Sequence, residues 1–406
     1  MILGILDRWA KFGARETFDT ILSRNRGIGP GFDILRILLA TVIFIGHARW
    51  LAGGAGMHIG RVADAAATAT HVIHPVRQAI AFTGPMKPVL LALVPMFFAV
   101  SGFLVLGSAV RLRATSTFLA YRALRIFPAL VVEIVLSAFV LGPFLTSLPI
   151  TDYFQSSELW RYLGNAFGYI TYVLPGVFDR NIVPDVVNAT LWTLPSELYC
   201  YTIIALLMIT RLAYCKITFS IIFIVITMIL AGRHLLTGFS TPQGPYTDHV
   251  IVYYFLVGMM FYHWRNTIPV RWEMFIFSVV LSYYLLMYDS LIYVAPLPLV
   301  YGTLFFGLLP LPKITVLNKG DYSYGIYLYG CPITQSILAV WPTTFGYHSA
   351  LLIPTAFAAT VVVAALSWNA IERHALGLKR KLPIRFFPIN KVVASFEQKR
   401  LGGGAA

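Results

Sequence analysis

Charge is what this sequence has least of: Asp, Glu, Lys and Arg together make up 12% of its 406 residues, against 58% hydrophobic residues. With a mean hydropathy of +0.74, so small a charged fraction excludes an ordinary soluble domain and implies a polytopic membrane protein. Cysteine is scarce as well, at three residues. Cys200, Cys215 and Cys331 lie far apart, form no CxxC pair and sit in or beside apolar segments, so they supply neither a disulfide framework nor a zinc site. Acidic residues number 17 against 31 basic ones, a formal charge of +14. That excess does not point to nucleic acid, because the basic residues cluster between apolar spans and in the tails, where they set orientation in a bilayer. A cleavable signal peptide is also missing: the opening MILGIL run is stopped by Asp7 and Arg8 too early for an h-region.

What is present is a series of apolar runs, the first of them Phe32 to Trp50, FDILRILLATVIFIGHARW. It is about long enough to cross a bilayer as a helix, yet it carries Asp33, Arg36 and His47. An Arg and a His inside hydrocarbon are expensive and call for a partner or a water-lined cavity. Eleven positions separate Arg36 from His47, about 16 Å of rise and about 1100° of turn, so both point to nearly the same helix face at two depths.

Further spans are expected at about Pro88 to Val110, Ile126 to Leu148, Leu191 to just before Arg211, Ile217 to Leu236, Val250 to His263, Trp272 to Tyr288, Leu291 to Leu311, Tyr322 to Trp341 and Ala350 to Ile371. The expected fold is therefore an all-α transmembrane bundle of about ten spans. Ahead of it, Ile2, Ile5, Leu6, Trp9 and Phe12 recur at helical spacing among Arg8, Lys11 and Arg15, as in an amphipathic helix on an anionic membrane face. The loop 53–87 holds His71 and His74, with no third ligand near, and reads as an ordinary loop rather than a metal site. Residues 157–174, SELWRYLGNAFGYITYVL, are aromatic and half polar and suit a segment lying at the interface.

Ten spans leave both termini on one side. That side carries 23 Lys and Arg, the other 7, which makes the termini cytoplasmic. Arg111, Arg113, Arg122 and Arg125 then form a cytoplasmic basic segment. Arg122 and Arg125 lie three apart on one helix face, and guanidinium forks suit phosphates, although the same residues could serve only to orient the chain. Glu197 and Glu133 are carboxylates inside spans, where Arg or His partners are expected. His234, His249 and His263 lie near span ends, as interfacial rings do, and Ser101 with Gly102 suits close helix packing. Ser323 and Tyr324 begin a span beside Asp321, the pattern of a helix cap.

Six segments in order carry a family resemblance: FDILRILLATVIFIGH; FFAVSGFL at Phe97 to Leu104; YRALRIFPAL at Tyr121 to Leu130; LWTLPSELYCY at Leu191 to Tyr201; YSYGIYLYGCP at Tyr322 to Pro332; and SWNAIE at Ser367 to Glu372. Together they resemble the bacterial acyltransferase family 3 of integral-membrane O-acyltransferases, over about Phe32 to Leu378. The resemblance implies transfer of an acyl group, usually acetyl, from cytoplasmic acyl-CoA to a hydroxyl of a surface or exported glycan or glycolipid. It maps the family's essential pair onto Arg36 and His47, its arginine motif for CoA phosphates onto Arg122 and Arg125, with Arg111 and Arg113 adjoining, and its glutamate onto Glu197. Gly330 stands where many members have His, and His374 where Pro is usual.

The expected organisation is residues 1–31 as a cytoplasmic amphipathic segment, 32–378 as the transmembrane acyltransferase domain and 379–406 as a basic cytoplasmic tail, in the inner (plasma) membrane. No metal and no nucleic acid are expected. The acceptor is handled by the membrane domain alone or by a separate periplasmic partner. A thioester needs chiefly a general base near neutral pKa, which His47 can supply, with Glu197 or Glu133 orienting it and Arg36 positioning the thioester or screening its oxyanion. A transporter or flippase for a glycolipid or polysaccharide precursor would also need intramembrane charges, but the halves share no repeat by eye.

Overall fold

The computed structural model describes residues 16–25, 27–53, 57–60, 79–82, 85–237, 248–311, 320–345 and 349–381. The amphipathic helix expected before residue 16, His71 and His74, and the tail beyond residue 381 lie outside them.

A short helix, α1 (Phe18–Arg24), opens the described chain, its first turn closed by reciprocal hydrogen bonds between Thr17 and Thr20. The backbone N–H groups of Phe18 and Asp19 donate to the carbonyls of Ile268 and Arg265, and Asp19 pairs with Arg265 at 2.7 Å. Phe18 is thereby buried against Phe103, Phe261 and Tyr301. The long helices follow: α2 (Phe32–Leu51), α3 (Lys87–Leu112) and α4 (Thr115–Leu136). Leu35, Leu39 and Ile43 of α2 are buried, whereas Leu38, Val42 and Ile45 on its other side stay exposed, as expected where the surrounding solvent is lipid.

Between α3 and α4 the chain breaks only at Arg113, in the left-handed region with φ 54°, and Ala114. Arg122 and Arg125 therefore lie within α4, not in a loop ahead of it. A π-helical turn, Ser137–Leu141, extends α4 to Leu145 and accommodates Pro143, which has no N–H to continue the ladder. Two short helices, α5 (Ile150–Gln155) and α6 (Ser157–Leu163), fold back on this end. Tyr153, Leu159 and Tyr162 are buried there, and Trp160, Phe167 and Tyr169 are exposed, as suits a polar–apolar boundary.

The remaining helices are α7 (Leu194–Ile209), α8 (Lys216–Thr237), α9 (Asp248–His263), α10 (Trp272–Leu285), α11 (Pro296–Leu308), α12 (Tyr322–Val340) and α13 (Ser349–Ser367). Helix α13 runs through a second π turn, Trp368–Glu372, into Arg373–Gly377. The fold is an all-α membrane-spanning bundle with one small addition, an antiparallel ribbon of β1 (Met57–Gly60) and β2 (Ala79–Phe82) inside the stretch expected to be a loop.

Each of the ten expected segments is helical, but the count of ten spans is corrected. Among the described residues six helices are long and apolar enough to cross a membrane: α2, α3, α4 with its extension, Ala189–Ile209, Lys216–His234 and Ala350–Arg380. Helices α9, α10 and α11 have 16, 14 and 13 residues, about 20–24 Å of rise, less than the roughly 30 Å of hydrocarbon. Helix α12 is longer, but its four tyrosines and Gln335 make it more polar, and it is mostly buried between α2 and α13.

Helices α3 and α9 meet backbone to backbone. A Cβ on Gly102 would lie 2.0 Å from the Phe255 carbonyl oxygen, and one on Gly258 2.2 Å from that of Ala99. Small residues are needed here. Gly102→Ala is expected to cost about 1–3 kcal/mol of stability, read as a lower thermal unfolding midpoint in detergent; an unchanged midpoint would mean that the backbones do not touch.

Candidate active site

Arg36, one turn into α2, does not face hydrocarbon alone. Its Nη1 lies 2.7 Å from Asp321 Oδ2, and Nη2 of Arg125 lies 2.5 Å from the same oxygen. Asp321 precedes the first turn of α12. Its side chain makes no cap; Oδ1 instead accepts from the Ser323 hydroxyl at 2.6 Å, which corrects the capping pattern expected there. Burial alone would raise the Asp321 pKa, but the guanidinium groups of Arg125 and Arg36 hold it well below the usual carboxylate range.

Arg122 has different partners from Arg125. Its guanidinium lies 5.7 Å from the Phe118 ring centroid and 5.9 Å from that of Tyr201, and Nη2 donates to the Ser108 hydroxyl at 3.4 Å. Glu197, in the first turn of α7, accepts from the Tyr201 hydroxyl at 2.5 Å and lies within electrostatic reach of both Arg122 and Arg125. Lys379, whose carbonyl accepts from Tyr121, adds a further cation to this end. Arg111 and Arg113, at the end of α3, are exposed.

His47 lies eleven residues after Arg36, about 16 Å along α2. Its Nδ1 is 2.9 Å from the Ile43 carbonyl oxygen. A carbonyl only accepts, so Nδ1 carries the proton, and in the neutral ring Nε2 is the basic atom. A small cavity, about 10 Å³ and so the size of about one water molecule, is lined by Ile43, Phe44, His47, Thr190, Ile326, Tyr327, Gly330 and Cys331. Gly330 is what admits the Phe44 ring here, since a Cβ would lie 2.7 Å from it.

The two carboxylates proposed to orient His47 do not hydrogen-bond to it. Glu133 is buried, and its Oε1 accepts from Ser137 at 3.0 Å and from Asn188 Nδ2 at 2.9 Å. Asn188 also donates to the Leu328 carbonyl, and its Oδ1 accepts from the N–H and hydroxyl of Thr190, at 3.1 and 2.6 Å. Thr190 lines the cavity, so a hydrogen-bonded path runs from Glu133 through Asn188 to its wall. Gln335 pins the preceding segment to α12 by donating to the carbonyls of Val183 and Val186. Asn188 and Thr190 are thus residues that the sequence did not point to, and Asp321 reads there only as part of a helix cap. Only Asp321 carried a signal, as an acid next to a span in a chain poor in acids. Among the described residues no three His, Cys, Asp or Glu side chains gather as a metal site.

Residues 30–369 match the acyltransferase domain family, acyltransferase family 3. The chain belongs to that family. This acyltransferase is 27% identical over 345 residues to an O-acetyl transferase of Shigella phage Sf6, covering 79% of this chain and 97% of the relative. It is 25% identical over 400 residues to nodulation protein 10 of Rhizobium leguminosarum bv. viciae, covering 89% and 97%. No solved structure matches it. The protein is a multi-pass membrane acyltransferase.

Asn188→Ala removes the donor shared by Glu133 and Leu328. It is expected to cost about 1–3 kcal/mol, for the Leu328 carbonyl left without this donor and the second donor lost by Glu133, measured as a lower unfolding midpoint; a native midpoint would mean that water replaces the amide.

Proposed function

We propose that this acyltransferase transfers an acetyl group from cytoplasmic acetyl-CoA to a hydroxyl of a glycan or glycolipid reached from the other face of the inner membrane. The observation that carries the reading is His47, with Nδ1 committed to its own backbone and Nε2 left basic beside a cavity, about 16 Å along α2 from a cluster of arginines. The phage relative's description as an O-acetyl transferase supports acetyl as the group and oxygen as the acceptor atom. The Lys and Arg residues clustered ahead of α2, in the 111–125 stretch and in the C-terminal tail support cytoplasmic termini.

In this mechanism the acceptor hydroxyl attacks the thioester carbonyl carbon while His47 Nε2 takes its proton. The C–S bond breaks, the ester C–O bond remains, and the CoA thiolate leaves with the proton returned from His47. Arg122 and Arg125 bind the phosphates of CoA, with Arg111 and Arg113 at the entrance and Glu197 holding Tyr201 against Arg122. Arg36 positions the donor, and Glu133 stiffens the cavity wall through Asn188 and Thr190. The outer stretches 53–87 and 149–189 select the acceptor, alone or with a separate periplasmic partner. An acyl-histidine route has the same products, with Nε2 as the nucleophile instead of the base.

Purified protein in detergent is expected to bind and turn over acetyl-CoA. His47→Ala should still bind it while losing roughly 10²–10⁴-fold in turnover, the range for a general base, and Arg122→Ala should weaken binding. A native protein that binds no CoA compound fails this reading and makes transport the function to test. Labelled acetyl left on His47 in a single turnover without acceptor would replace direct attack by the acyl-histidine route.

A further inference from the structure

The carboxylate of Asp321 joins two arginines that lie on different helices. Arg36 Nη1 at 2.7 Å and Arg125 Nη2 at 2.5 Å share one oxygen, so the two nitrogens are at most 5.2 Å apart. Ser323 occupies the other oxygen and fixes the carboxylate's rotation. A guanidinium has five N–H donors, and among the described residues each of these two spends one, on Asp321. All three side chains are 24% exposed, so the group is neither sealed in the core nor spread over open surface. Around it stand Arg122 and Lys379 as further basic groups and Glu197 and Glu372 as further acidic ones, four basic side chains to three acidic.

We propose that Asp321 is a positioning residue that draws Arg36 and Arg125 into one cradle for a phosphate of the acyl donor. The inference rests on the acyl-CoA reading and deepens it by assigning Arg36 to the anionic end of the donor, not to the acyl end at His47. One negative charge offsets the repulsion that would otherwise separate the guanidinium groups, and their unspent N–H edges remain for a phosphate, whose geometry such forks match. A carboxylate that merely competed with the ligand would behave in the opposite way, and its removal would tighten binding.

The test uses the full chain in phosphatidylcholine nanodiscs. Equilibrium binding of acetyl-CoA, and of inorganic pyrophosphate as a probe, is compared for native protein, Asp321→Asn and Asp321→Glu, with unfolding midpoints measured alongside. Asp321→Asn is expected to weaken both ligands by roughly tenfold, with KM for acetyl-CoA rising more than kcat falls, and Asp321→Glu to restore most of the affinity. An Asn variant that keeps the native midpoint and binds pyrophosphate as tightly as native protein, or more tightly, overturns the proposal. If the Asn variant fails to fold, Ser323→Ala, which frees the carboxylate to rotate, carries the test: weaker pyrophosphate binding supports the cradle and unchanged binding overturns it. Pyrophosphate binding that depends on Asp321 in a protein that binds no acetyl-CoA would keep the two-arginine cradle and remove the donor assignment. Loss of pyrophosphate binding when phosphatidylglycerol is added to the discs would assign the cradle to a lipid headgroup and overturn its role for the donor.

Discussion

Two guanidinium groups whose Asp321-bound nitrogens lie at most 5.2 Å apart set the constraint on which this site depends. At an effective dielectric near 20 they repel by roughly 3 kcal/mol, and Asp321 between them reverses the sign of the arrangement. Arg36 comes from α2, Arg125 from α4, and Asp321 from the residue that leads into α12, so one carboxylate ties together three elements far apart in sequence. The register of α2 follows from this tie. With Arg36 anchored at one end, the helical rise fixes how deep His47 sits and on which side it faces.

The other end of the bundle is held by hydrogen bonds from side-chain amides. Asn188 and Gln335, both fully buried, bind the 181–190 segment to α12 and α4 through backbone carbonyls and the Glu133 carboxylate. Amides serve this purpose where a second ion pair would have to be desolvated. The two π turns lie beside the polar groups: one begins at Ser137, which donates to Glu133, and the other ends at Glu372, which accepts from Ser367.

The helices were legible because their apolar runs are long and the charged residues between them few. Which of them are long enough to cross the bilayer was not legible, since α9, α10 and α11 have the composition of spans without the length. The true start of α4 was hidden for a related reason: an apolar window begins at Ile126, whereas the helix begins at Thr115 and carries both arginines in its N-terminal half. In the site, Arg36, His47, Glu133, Glu197 and the RALR pair stood out because ionisable groups in apolar runs are conspicuous. Their pairing was hidden in sequence separation: Asp321 is 285 positions from Arg36, and Asn188 is 55 from Glu133. Asn188 and Thr190 are neutral and carry no charge signal at all.

The hydrogen bond from His47 Nδ1 to Ile43 has a consequence for where protons can travel. A histidine passes a proton through the protein by accepting on one nitrogen and releasing from the other, and here the second nitrogen is spent on a carbonyl of its own helix. A proton taken up at Nε2 would have to leave by Nε2. In this geometry the imidazole can exchange a proton at Nε2 but cannot hand one on through Nδ1, so the ring is the end of a proton path and not a link in one.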